Sequence, residues 1–162
     1  MSPMDLADFF HIGLIVPDLD KAVARLGREF QLEWSTRIDV NVRMWTRDHG
    51  VRAIRARAIF SRQYPHLELV QAVAHTPLAV TAGRPVHHLG YWTDHLERDS
   101  QALAASGCPK IMCADDNGKM FGIAYHLRPD GLIVELVDRA SYADWEGFLA
   151  GRIQHQVTVP QA

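Results

Sequence analysis

Two histidines and two glutamates in this chain stand out by the residues next to them. His11 and His88 each open a His-x-Gly triplet (HIG and HLG), and Glu68 and Glu135 each open Glu-Leu-Val. Glu135 lies inside LIVELV, an apolar, β-branched run where a carboxylate is costly unless something pairs with it. Imidazoles and carboxylates are the side chains that exchange protons near neutral pH or compensate buried charge. The four residues therefore have to be read together, and the elements carrying them decide whether they can meet.

Those elements form an internal repeat. The segment FFHIGLIVPDLDKAVARLGREF, residues 9–30, has the pattern of VHHLGYWTDHLERDSQALAASG, residues 86–107. In each, His-x-Gly begins a short apolar strand, and an amphipathic helix comes next. His11-Ile12-Gly13 matches His88-Leu89-Gly90, and Asp18-Leu19 matches His95-Leu96. HLELVQA and IVELVDR, residues 66–72 and 133–139, end the two halves alike. Each half reads strand–helix–strand–strand–strand, with His on the first strand and Glu on the last.

Periodicity assigns the faces. Leu19, Val23, Leu26 and Phe30 recur three or four apart and form one helical stripe. In the preceding strand, Ile12, Leu14 and Val16 point one way and His11, Gly13 and Ile15 the other. The first set packs under the helix, which leaves His11 facing the opposite, concave side. Glu68 shares its face with His66 and Val70, and Glu135 shares its face with Ile133 and Val137. RPDG, residues 128–131, is a turn signal before the last strand. DRASYADWEGFLAG, residues 138–151, reads as a short C-terminal helix around Ala140, Ala143 and Phe148.

Composition narrows the function classes. The 162 residues suit a single domain, and the formal net charge of −2 with scattered basic residues gives no nucleic-acid surface. Arg55 and Arg57 alternate with apolar positions, as on a solvated strand face. Cys108 and Cys113 lack a metal or disulfide spacing and read as free thiols of a cytoplasmic protein. Neither a signal peptide nor a membrane span is expected.

HIGLIVPDLDKAV, HHLGYWTDHLE and RPDGLIVELVD, taken in order, resemble the vicinal oxygen chelate superfamily. That group includes glyoxalase I, methylmalonyl-CoA epimerase, extradiol dioxygenases and bleomycin-resistance proteins. The resemblance spans roughly residues 9–138 and implies an α+β fold, in which two tandem βαβββ modules form a cupped mixed sheet around one central site. Module one then covers about 9–74, a linker about 75–85 and module two about 86–140. The C-terminal helix and tail occupy 141–162. The resemblance also implies that His11, Glu68, His88 and Glu135 are metal ligands, with His87 not among them.

Two neutral imidazoles and two carboxylates suit one divalent ion such as Fe, Co, Ni, Mn or Zn. The family's chemistry is chelation of two vicinal substrate oxygens and stabilisation of an enolate-like species, as an isomerase, epimerase or lyase. Glu68 fills a position that ring-cleaving dioxygenases leave open, which disfavours that activity. A metal-free small-molecule binding or resistance protein is the other alternative. The extra Glu of methylmalonyl-CoA epimerases is missing, since Asp39 and Asp48 are the only acids between Glu33 and Glu68. The Phe-Tyr pair of glyoxalase I is replaced by ARLGREF.

The candidate base is then Glu68 or Glu135 shifting off the metal, or a pocket residue such as His66 or His126. His66, Trp92, Met44 and one of Tyr125 and His126 are candidate pocket residues around a small, partly apolar substrate, with neither of the last two preferred. Homodimer formation is an expectation from the family; nucleic-acid and membrane partners are not expected.

Overall fold

The structure is a computed structural model and describes residues 4–154. The end of the expected C-terminal tail, beyond residue 154, lies outside the described residues. The first half comprises β1 (Phe9–Val16), α1 (Leu19–Phe30), β2 (Ile38–Thr46), β3 (Gly50–Phe60) and β4 (His66–Gln71). The second repeats the order with β5 (His88–Thr93), α2 (Leu96–Ala105), β6 (Lys110–Asp116), β7 (Lys119–Leu127) and β8 (Ile133–Asp138). A 3-10 turn, Arg139–Tyr142, and a short helix α3 (Trp145–Leu149) close the described chain.

The strands join in the order β1-β4-β3-β2-β6-β7-β8-β5 into a closed, barrel-like cup. The fold is mixed α+β, because β1 pairs parallel with β4 and β5 with β8 while the other pairs are antiparallel. The halves meet at two seams. At one, β1 and β5 run antiparallel with His11 opposite Gly90 and Gly13 opposite His88. At the other, Met44, Trp45 and Thr46 pair with Ala114, Cys113 and Met112.

Alternation along the strands builds separate cores inside and outside the barrel. Leu14 and Val16 of β1 pack outward with Leu69 against Leu19, Ala22, Val23 and Leu26 of α1. Phe30 departs from the expected stripe and is 63% exposed. It is the last helical residue, and the chain leaves the helix at Gln31 in a left-handed conformation (φ 54°). The Asp18 side chain caps the start of α1 by accepting from the Lys21 amide at 3.0 Å. On the other side, α2 covers Cys113, Ala124, Val134 and Leu136 through Leu96 and Leu103.

The inner core runs from Phe10, Met44 and Met112 to Phe148 and Leu149 of α3. The connecting segment expected as a linker is part of it, because Leu78 is buried in that core. Arg55 faces out and forms an ion pair with Asp39 at 2.7 Å. Cys108 and Cys113 are buried free thiols. Among the described residues, no helix is long and apolar enough to cross a membrane.

Candidate metal centre

The four polar residues picked out by the repeat converge inside the barrel. Their register explains how. Gly13 lies between Glu68 on β4 and His88 on β5, and Gly90 lies between His11 on β1 and Glu135 on β8. Each imidazole lies over the glycine of the opposite half. A Cβ on Gly13 would come within 1.9 Å of the His88 ring, and one on Gly90 within 1.8 Å of the His11 ring. The glycine of His-x-Gly thus makes room for the other half's histidine.

The His11 and His88 Nε2 atoms are 3.0 Å apart. Glu68 Oε2 is 2.9 Å from His88 Nε2 and 3.4 Å from His11 Nε2. Glu135 Oε2 is 3.0 Å from His11 Nε2 and 3.4 Å from His88 Nε2. All four donor atoms lie within 4.8 Å of one another, and all four residues are buried.

Two donors at right angles, each ~2.1 Å from a divalent ion, would be separated by ~3.0 Å. The observed separations are of that size. Glu135 Oε2 is also buried without a hydrogen-bond partner. The donor set and its spacing therefore fit a divalent ion, and His11, Glu68, His88 and Glu135 are the residues that could hold one.

The electrostatics are consistent with this. Burial disfavours charge on His88, but the Glu135 and Glu68 carboxylates outweigh it and push its pKa up to about 9. His11 is raised against burial by the same pair. Burial and mutual repulsion oppose charge on Glu68, yet His11 and His88 hold its pKa below the usual carboxylate range, and Glu135 is lowered likewise against burial. The cluster is balanced by two protons as it would be by one divalent cation.

The surroundings differ on the two sides. His11 is braced by the Phe10 and Phe60 rings, at centroid distances of 4.4 and 5.3 Å. His88 is braced by Tyr125 at 5.3 Å. Tyr125 is also the cross-strand neighbour of Glu135 and its hydroxyl interacts with that carboxylate. His87 lies beside the four donors: its Nδ1 is 2.8 Å from His88 Nδ1, and its Nε2 is 2.8 Å from the Pro77 carbonyl. Burial and the charge on His88 lower its pKa to about 4.

A cavity of about 430 Å³ reaches Glu68 and Glu135. Ile38, Val40, Val42, Ile54, Phe121 and Ile123 are among its apolar lining, and Met44, Tyr125 and Tyr142 also line it. Charged residues on the wall include Asp116, Lys119 and Asp138, all at strand ends. Burial, followed by the two carboxylates, raises the pKa of Tyr125 and Tyr142 well above the ordinary phenol value.

Of the pocket residues expected from sequence, Met44 and Tyr125 therefore reach this cavity, and three others are placed elsewhere. His126 points out of the barrel under α2, bonded to Ser100 Oγ at 2.9 Å and the Cys108 carbonyl at 2.8 Å. His66 binds the Ser61 carbonyl through Nδ1 at 2.8 Å and packs against Trp145. Trp92 stacks on Phe10 at 3.7 Å, behind the cavity wall. Sequence reasoning missed Tyr142; the aromatic density of SYADWEGF, residues 141–148, was its only signal.

With this geometry established, comparison with known proteins defines the family. The profile of the Glyoxalase/Bleomycin resistance protein/Dioxygenase superfamily matches residues 10–125, a span that holds His11, Glu68 and His88. The chain belongs to that superfamily. This is the vicinal oxygen chelate group that the sequence motifs resemble. Among solved structures, methylmalonyl-CoA epimerase from Mycobacterium tuberculosis is similar, with a TM-score of 0.54 and 18% identity over 85% of this chain and 91% of that one.

A Streptomyces coelicolor methylmalonyl-CoA epimerase in complex with 2-nitronate-propionyl-CoA gives a TM-score of 0.55 and 18% identity, covering 81% of this chain and 96% of that one. A hypothetical protein from Bacillus halodurans C-125 gives 0.52 and 16%, covering 80% and 92%. At such identities the likeness establishes a shared fold. No curated protein sequence matches the chain.

Proposed function

We propose that His11, Glu68, His88 and Glu135 hold one divalent ion, and that the chain is a metal-dependent isomerase, epimerase or lyase acting on a small, partly apolar carbonyl compound. The observation that carries this reading is the convergence of four buried donors at the spacing a divalent ion requires. Keeping that many ionisable groups out of water costs several kcal/mol per uncompensated charge. A metal-free binding protein on the same fold gains nothing from that cost.

When bound, the ion supplies Lewis-acid stabilisation to negative charge developing on a substrate oxygen. The chain's own residues do the rest. The apolar wall of Ile38, Val40, Val42 and Ile54 shields the substrate's body and excludes water from the carboxylates. Tyr125 and Tyr142 stay protonated and present neutral hydroxyls to the cavity. Both carboxylates reach the cavity. We assign Glu68 as the group that takes a proton from a carbon beside the substrate carbonyl, with Glu135 as the alternative.

Solvent-deuterium incorporation into a panel of apolar ketones, hydroxyketones and thioesters, with zinc- or cobalt-loaded protein, tests this. The expected outcome is metal-dependent exchange at the carbon next to the carbonyl, reduced about a hundredfold or more in Glu68→Gln. Equal exchange by wild type and Glu68→Gln would reject the assignment of Glu68.

A further inference from the structure

His87 is buried next to a candidate ligand and contacts none of the other three ligand side chains within hydrogen-bond range. The two hydrogen bonds of its ring point in opposite directions. The Pro77 carbonyl, 2.8 Å from His87 Nε2, can only accept, so His87 Nε2 carries the proton. A neutral His87 then has an unprotonated Nδ1, which at 2.8 Å accepts from His88 Nδ1. With a proton fixed on Nδ1, His88 aims Nε2 toward Glu68, Glu135 and His11, where an ion would take the place of the Nε2 proton. The only fixed end of this chain of hydrogen bonds is a backbone carbonyl in the segment joining the two halves.

We propose that His87 is a positioning residue that locks the tautomer and ring orientation of His88, with Pro77 as its anchor. This rests on the metal-site reading for its consequence, but the tautomer itself does not require an ion. The arrangement is one-sided. His11 Nδ1 is buried with no hydrogen-bond partner, so on the side away from the cluster that ring is held only by packing against Phe10, Phe60 and Gly90. The two histidines, equivalent by the repeat, are thus unequal as ligands: His88 is held by a hydrogen-bonded chain and His11 is not. Such partners of a ligating histidine contribute about ten- to a hundredfold in metal affinity.

The experiment has two arms. Long-range proton–nitrogen NMR of wild type, with and without zinc, reads the tautomer of His87. A proton on Nε2 and none on Nδ1 is expected in both states. A proton on Nδ1 overturns the proposal, whether or not zinc binds. Competition titration with zinc then compares wild type with His87→Phe, which keeps a ring but no acceptor, and His87→Asn, whose amide oxygen can take the place of Nδ1.

The expected result is a ten- to hundredfold loss in His87→Phe and recovery of most of it in His87→Asn, because a merely space-filling role would favour the ring over the amide. Equal affinity in His87→Phe and wild type, or a greater loss in His87→Asn than in His87→Phe, contradicts it. If His87→Phe does not fold, the wild-type spectra and His87→Asn still decide. Failure of wild type to bind zinc would count against the metal-site reading, while the spectra would still settle the tautomer.

Discussion

Gly13 separates Glu68 from His88, and Gly90 separates His11 from Glu135, so each glycine is flanked by two residues of the cluster. With a side chain on either, the facing imidazole has to leave its place. Gly90→Ala is expected to displace His11, weaken zinc binding, and destabilise the fold by about 1–3 kcal/mol through overpacking. Urea denaturation together with zinc titration checks this, and unchanged affinity would show that the ring relaxes without loss.

Proton balance in the cluster makes a second prediction at the same scale. His88 is raised from 6.5 to about 9, so its stabilising contribution is complete below pH 6.5 and is lost as pH rises through about 9. Glu68 and Glu135 are lowered from 4.5, so theirs is complete above pH 4.5 and is lost as pH falls below it. The lowered, buried His87 adds stability that grows with pH up to 6.5, so chelator-treated protein should melt highest near pH 6.5, and its melting temperature should fall as pH rises to 9. Zinc affinity should rise over that last interval, because the ion displaces the imidazole protons. A melting temperature that climbs from pH 6.5 to 9 without metal would contradict the ion-paired cluster.

At the scale of elements, α3 and the 3-10 turn before it close one end of the barrel with aromatic rings. Trp145 stacks beside Phe148 at 5.6 Å and meets Phe60 edge-on at 5.2 Å. Phe148 is 1% exposed, so Phe148→Ala is expected to cost about 3–5 kcal/mol, read from the urea midpoint. A loss below about 1 kcal/mol would mean that the helix is not part of the core.

The strands carrying the four cluster residues were legible from sequence because alternation is a property of the strand alone. Facing between strands was not. Tyr125 and His126 could not be told apart, because β6 pairs with β7 through two register shifts and only the Tyr125–Glu135 pairing fixes which one turns inward. The segment rich in Pro and Gly between the halves reads as a spacer, yet it buries Leu78 and supplies the Pro77 carbonyl to His87. His66 shares parity with Glu68, but the Ser61 carbonyl and Trp145 hold its ring away from the cavity.

For the whole molecule, duplication explains why one site stands at the seam. Each half contributes one His from its first strand and one Glu from its last, and the β1–β5 pairing brings the two pairs to one point. The cavity beside them is walled mainly by β2, β3 and β7, strands that, like β6, carry none of the four. On the proposed reading, most of the wall around the substrate can change without altering the strands that carry the donors. Metal content is the decisive measurement. After loading with zinc and desalting, wild-type protein should retain about one ion per chain, while His88→Ala and Glu135→Gln retain little. Wild type without bound zinc, or variants that retain as much as wild type, would contradict the assignment of these four residues as a metal centre.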